Sequence, residues 1–405
     1  MALKDKTTNF STLFQELLVA SCMFLLMLPY YVWELPIQLL LLIQIVPVVF
    51  FLKKNDFKNS ISFHFFILFL LLMIYTSLVQ GLTLAYMAFV ISIAIFPFGE
   101  RKFSSGVYKY LKLIYAYVSL GSLVVWALVL LGFSFPSQVI EPLNSLKPYT
   151  YTAYPLLVIP NILDVDFFMF NGPFDEHGVV GTFSWFFMYI ERYNLKSFQN
   201  IIIFIAGLCS FSLAFILGSI AYFIFILFFS KSKKWLFLAI LIAPLFYVVT
   251  KDIPVMQDNI YSRFEFDKDT GKISGDSRST QEFDAYFEKI KGTSIYYFGA
   301  DKTVIDRFSG SAGYRNAILK YGAIFYYLYL FLFISMAWFR TKSVKKTAFF
   351  AFMIIAMFYQ RPGLNDLNYV FMLSMFMRSL EDSTVNKTRE TNKVKEQCQL
   401  KLQQI

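Results

Sequence analysis

The chain has 405 residues, of which 57% are hydrophobic and only 16% charged, with 49 Phe and a net charge of +10. A soluble domain carries nearer a quarter of charged residues, so this sequence has too little polar side chain to clothe one. The composition excludes a disordered chain, a disulfide-stapled secreted domain and an ordinary soluble enzyme, and it points to an all-α, polytopic integral membrane protein.

Apolar runs punctuated by charge predict membrane spans in chain order. Five lie near 12–30, 36–52, 60–79, 82–98 and 110–133. Four follow near 178–190, 199–211, 213–230 and 235–250, and three more near 315–338, 347–360 and 366–378. A helix needs about 20 residues to cross about 30 Å of hydrocarbon. The run 178–190 is short by that measure and 199–230 is long. The count is therefore about 12, or 10 if the first does not cross and the second is one tilted helix. The first run has no cleavage site behind it and reads as a retained span. A membrane domain over 1–379 precedes a polar tail over 380–405.

The positive charge reads as orientation rather than as affinity for nucleic acid. With the N-terminus inside, 24 of the 37 Lys and Arg fall on the inner side, and the short outer turns hold only Arg361. Basic residues gather on the cytoplasmic face of membrane proteins, so both termini are expected in the cytoplasm. Cys22 and Cys209 lie in apolar runs and Cys398 in the tail, which suggests neither a disulfide framework nor a metal cluster.

Two larger loops then lie outside, at about 134–177 and 251–314. The first is rich in Pro and Tyr. The second holds most of the polar residues outside the tail. Its Asp267–Lys272 stretch reads as a turn. Its segment 279–291 predicts a short amphipathic helix with Phe283, Tyr286, Phe287 and Ile290 on one face.

No nucleotide-binding loop and no His-Glu-x-x-His metal motif is present. Two groups of residues could carry chemistry. Asp175, Glu176 and His177 form a proton-handling cluster at the mouth of a span, bracketed by Gly172 and Gly178, which let the backbone turn sharply. A solvated loop end would look the same in sequence. Arg263, Arg278, Arg307 and Arg315 lie on the large outer loop or its exit, and Arg361 in an otherwise uncharged turn. A guanidinium grips phosphate oxygens in a two-pronged fork and keeps its charge. Against that role, residues 251–315 hold ten basic and eleven acidic side chains, so much of the loop charge must pair with itself.

Three stretches resemble the O-antigen polymerase (Wzy) group of bacterial membrane glycosyltransferases, within the polymerase/ligase superfamily. Gly172-Pro173-Phe174-Asp175-Glu176-His177-Gly178 is similar to the G-x-F-x-E-P-G element of such polymerases, with His177 where Pro is usual. Leu208-Cys209-Ser210-Phe211-Ser212, before a glycine-bearing span, resembles the family's Ser-centred turn. Asn316-x-x-Leu319-Lys320-Tyr321-Gly322 resembles its entry into the span after the large loop. The architecture of spans and outer loops extends the resemblance over most of the chain. O-antigen ligases carry a His-Asn pair about ten residues before a glycine like Gly322. Here that register holds Ser311-Ala312, and the large loop has no His.

The resemblance implies an enzyme of the bacterial inner membrane that polymerises undecaprenyl-diphosphate-linked oligosaccharide repeats on the periplasmic side, without metal or other cofactor. Its partners would be those lipid-linked glycans and membrane lipids, with a chain-length regulator and a flippase of the same pathway. It places Glu176 as base or acceptor-orienting carboxylate, with His177 beside it, and the arginines on the lipid diphosphate. An O-antigen ligase and a polysaccharide or lipid transporter are the alternatives. Coupled transporters commonly carry mid-span charge, which is nearly absent here.

Overall fold

The computed structural model describes residues 10–57, 60–81, 83–142, 149–162, 169–229, 280–308, 313–361, 363–364 and 366–381, with short stretches inside 251–273. It is mostly helical. Helices α1 (Phe10–Leu25), α2 (Ile37–Lys53), α3 (Ser60–Val79), α4 (Leu84–Ser92) and α5 (Arg101–Leu130) form the first half. Helices α6 (His177–Ile190), α7 (Phe198–Cys209) and α8 (Leu213–Phe229) follow. The large loop contributes α9 (Gln281–Ile290), α10 (Ser294–Phe298) and α11 (Lys302–Arg307). After it come α12 (Tyr314–Tyr321), α13 (Ala323–Thr341) and α14 (Val344–Gln360), and a last helix, α15, over 367–381.

Among the described residues, three helices are long and apolar enough to cross a membrane: α3, α5 and α13. Their outer faces show why the chain needs lipid. Ile61, Phe63, Leu68 and Leu71 on α3, and Tyr327, Leu328 and Phe331 on α13, are all more than 40% exposed. Soluble surfaces rarely carry contiguous apolar patches of this kind.

The boundaries differ from the sequence reading in three places. The run 315–338 is two helices, α12 and α13, because Gly322 breaks it at φ +87°. A Cβ there would overlap the carbonyl oxygen of Tyr297, so only Gly lets the chain turn against α10. The run 199–230 is two helices, divided at Ser210–Ser212, as the separate runs 199–211 and 213–230 predict. The last helix begins at 367 rather than 366, which leaves Asp366 in the turn before it. Finally, the 134–177 loop holds an antiparallel three-stranded sheet, Gln138–Ile140, Tyr151–Tyr154 and Leu157–Pro160, in that order. The expected span at 235–250 and the tail after 381 lie outside the described residues.

The described part of the large loop after 280 follows its predicted pattern. Thr280 caps α9 by accepting the Phe283 amide, and Phe283, Phe287 and Ile290 are buried on one face. The two-residue strands Phe266–Asp267 and Lys272–Ile273 pair antiparallel, and residues 268–271 of the expected turn lie outside the described residues.

Polar contacts sort the molecule into two ends. At the basic end, Glu100 N–H donates to the Lys54 carbonyl, Arg340 to Pro97, Arg192 to Ser379 and Lys346 to Leu380. Lys112 and Tyr108 meet Glu191 there. At the loop end, Tyr30 N–H donates to the Pro173 carbonyl at 2.7 Å and the Tyr30 hydroxyl to Tyr154. The Tyr75 hydroxyl donates to Phe298. Segments that the charge pattern assigned to one side of the membrane thus share one end of the molecule.

Helix α6 runs between these ends through the middle of the core. Every residue from Val180 to Ile190 is buried. At 1.5 Å per residue its 14 residues span about 21 Å. It is braced by close approaches: a Cβ at Gly181 would overlap Ser212, and a Cβ at Gly218 would overlap the Trp185 ring. The Tyr115 hydroxyl of α5 donates to the Val180 carbonyl at 3.0 Å, and Tyr189 donates to Gly218 at 2.5 Å.

Candidate active site

The site is built at the loop-facing end of α6. Segment 170–176 is pinned before the helix starts. Phe170 N–H donates to the Cys209 carbonyl, and Val158 N–H donates to the Gly172 carbonyl. The Tyr151 hydroxyl donates to the Asp175 carbonyl at 2.5 Å. Gly172 adopts φ +57°, the left-handed conformation that glycine takes without strain. The chain is then extended at Glu176, which is the N-cap of α6 with φ −144° and ψ 139°. His177 is the first helical residue.

The Glu176 carboxylate does not fold back onto its own helix. It accepts a hydrogen bond from Arg361 Nη2 at 2.6 Å, across 185 residues of chain. The pair is half-buried, with side-chain exposures of 40% and 24%. Arg361 ends α14, and its own N–H donates to the Met357 carbonyl. The guanidinium rests on the backbone of α6 at Gly178, where a Cβ would overlap Nη2. One cation and one carboxylate therefore meet at a helix N-terminus, where the helix dipole already favours negative charge.

The turn holding Arg361 is polar and partly unsatisfied. Among the described residues, Arg361 Nε and both side-chain amide atoms of the fully buried Asn368 have no hydrogen-bond partner. The buried Tyr329 hydroxyl also lacks one and lies within electrostatic reach of Asp366. Unsatisfied buried polar groups are few in folded proteins and call for a reason. Asp366 accepts the Asn368 and Tyr369 amides at 2.8 and 3.2 Å. Burial pushes its carboxyl up to about 6, against those two amides, which pull it down.

One helical turn below, Ser210 and Ser212 are buried between α6 and the α7–α8 turn. The Ser210 hydroxyl donates to the Gly207 carbonyl at 2.7 Å and accepts the Ser212 amide. Both hydroxyls stand at Gly181 of α6. The Gly172–Gly178 and Leu208–Ser212 stretches, apart in sequence, are thus adjacent along one helix.

The other expected site residues divide. Arg307 pairs with Glu282, and Arg315 with Asp284 at 2.7 Å. Both carboxylates lie in the first turn of α9, so these two arginines tie the loop together. Arg315 also lies 5.8 Å from the centre of the Phe287 ring, a favourable cation–aromatic distance. Arg263 and Arg278 lie outside the described residues. Of the expected arginines among the described residues, Arg361 is the one placed against Glu176. His177 is half-buried beside it. Asp366 and Asn368 were not among the expected site residues. Their signal was their closeness in sequence to Arg361.

No family model, curated protein or solved structure matches this chain.

Whatever binds here meets a carboxylate able to accept a proton and a guanidinium able to grip an oxyanion. Each now holds the other. An anionic ligand that competes for Arg361 would loosen its hold on Glu176.

Proposed function

We propose that the chain is a membrane glycosyltransferase that polymerises undecaprenyl-diphosphate-linked oligosaccharide repeats into surface polysaccharide on the periplasmic side of a bacterial inner membrane. The observation that carries this reading is the Glu176–Arg361 pair at the N-terminus of a buried helix, in the segment that resembles the polymerase motif. The proposed topology has about 12 spans, both termini in the cytoplasm and the loop end outside.

In the proposed reaction, an acceptor hydroxyl of one lipid-linked unit attacks the anomeric carbon of another. The new C–O bond forms as the bond from that carbon to the diphosphate breaks, and undecaprenyl diphosphate leaves with the electron pair. The proton of the hydroxyl passes to Glu176. A diphosphate is a good leaving group, so the demand on the protein is one base and a cation for the developing charge. Arg361 supplies the cation. Binding of the diphosphate draws Arg361 toward the leaving group and weakens its hold on Glu176. A hydrolase of glycosidic bonds would instead need two opposed carboxylates flanking the bond.

Deleting the gene and examining surface polysaccharide tests the reading. Loss of long chains with a single attached repeat retained is the expected result. Loss of every attached repeat would point to a ligase, and unchanged chains would contradict the proposal.

A further inference from the structure

The basic end contains an arrangement that membrane orientation does not explain. Basic residues that mark the cytoplasmic face can stay in water. Arg378 does not: it is 4% exposed. Its Nη2 donates to the Gly99 carbonyl, while Nε and Nη1 have no hydrogen-bond partner. Among the described residues, no carboxylate lies within ion-pair distance of it. Asp56 and Glu381 act on it only from farther away. A buried, unpaired guanidinium is among the costliest groups a protein can hold.

The surroundings add further donors. Gly99 precedes Glu100, the exposed N-cap of α5, a 30-residue helix whose first amides receive no side-chain cap. The Ser104 hydroxyl, 1% exposed, also has no partner. A Cβ at Gly99 would lie 2.7 Å from it, so the Ser hydroxyl and the Arg378 guanidinium both border Gly99. Arg340 reaches the neighbouring Pro97 carbonyl at 3.0 Å. Arg101 sits at the start of α5, half-exposed, 3.7 Å from Glu381. A helix N-terminus, an idle hydroxyl and an idle guanidinium all lie about Gly99, beside the Phe51 ring.

We infer that the basic end holds a binding site for a phosphate oxyanion, formed by Arg378, Ser104 and the N-terminal amides of α5. The helix N-terminus favours negative charge, and the guanidinium has two nitrogens, Nε and Nη1, whose N–H groups can donate to oxyanion oxygens. An anionic phospholipid headgroup and free phosphate both supply this chemistry. Basic pockets between helices at a membrane face hold such headgroups. The site lies at the opposite end of the molecule from Glu176 and Arg361, so it is separate from the proposed reaction.

The test uses the purified full chain in lipid nanodiscs. Its thermal unfolding is followed in phosphatidylcholine alone, in phosphatidylcholine with phosphatidylglycerol, and in phosphatidylcholine with added inorganic phosphate. A ligand that binds only the folded state raises the midpoint. A rise with phosphatidylglycerol alone assigns the site to a lipid headgroup, and a rise with phosphate assigns it to the free ion. Either rise should vanish in Arg378→Met, shrink in Ser104→Ala and persist in Lys53→Ala, which removes an exposed charge at the same end. If Arg378→Met does not fold, Ser104→Ala decides. The inference is overturned if neither probe shifts the wild type, if Ser104→Ala keeps the full shift, or if Lys53→Ala loses it as completely as Arg378→Met.

Discussion

Arg361 reaches Glu176 by lying across Gly178. A Cβ at position 178 would occupy the space of Arg361 Nη2, so the ion pair between α14 and α6 depends on a missing side chain. Gly178→Ala therefore separates stability from activity. Alanine is the better helix former by about 1 kcal/mol, which offsets part of any local strain. The variant should fold and express while polymer formation drops at least about tenfold, the scale of a misplaced catalytic contact. Chain-length analysis beside thermal unfolding checks this. Normal polymer from Gly178→Ala would mean that Arg361 does not need its present seat.

Glu176 and His177 are adjacent, and on the observed backbone they part ways: Glu176 is extended and faces Arg361, while His177 begins the helix. Proton acceptance by a positioned carboxylate contributes roughly 10²–10⁴-fold in rate. Glu176→Gln keeps the shape and loses the base, so polymer should fall by that order at unchanged expression. His177→Ala should cost much less. Chain-length analysis of both variants gives the answer, and the reverse order of effects would move the role to His177.

The arginines are not equivalent. Arg307 and Arg315 are held by Glu282 and Asp284 on α9, whereas Arg361 meets the candidate base. Lysine keeps the charge and loses the fork. Arg361→Lys should therefore impair polymer formation nearly as much as Arg361→Ala. Arg307→Ala should be close to neutral, because its pair is exposed and such pairs are worth about 0–1 kcal/mol. Arg263 and Arg278 enter the same assay on the sequence argument alone. Full polymer from Arg361→Ala would exclude it as a diphosphate ligand.

The helices were legible because runs of apolar residues between charges leave few other solutions in a membrane. The charge pattern also anticipated which segments meet at each end, as Glu100 with Lys54 and Arg340 with Pro97 show. The break at Gly322 was masked by the apolar run that continues through it. The three-stranded sheet was missed because its strands are three or four residues long, too short for an alternating pattern to register. In the site, the bracketing glycines flagged Glu176, and an uncharged turn flagged Arg361. Their pairing was beyond reach, since nothing local links residues 185 apart.

Asp366 gives a pH dependence of known sign. Its carboxyl is raised to about 6 in the folded chain, above the ordinary value of about 3.9. The folded state therefore holds a proton that the unfolded chain releases. Stability from this group is fully present below about pH 4, falls as pH rises through about 6, and then levels. Asp366→Asn keeps a capping side chain and removes the titration. Its unfolding midpoint should change less than that of the wild type between pH 4 and 6.5. Parallel curves would show that Asp366 does not titrate there.

Orientation can be read directly. Single cysteines at Ser274 and Ser383, in a background lacking the three native cysteines, should react oppositely with a membrane-impermeant reagent applied from outside. Labelling at 274 and protection at 383 is the expected result. External labelling at 383 would invert the proposed topology.

The most direct measurement is reconstitution of the purified chain in liposomes with lipid-linked repeat units extracted from a strain lacking it. Wild type should lengthen the glycans one repeat at a time and release undecaprenyl diphosphate in step with each linkage. Glu176→Gln should do neither while retaining the same fold. A wild-type chain that leaves the repeats unjoined, or a Glu176→Gln chain that joins them at the wild-type rate, would contradict a polymerising site built on Glu176 and Arg361.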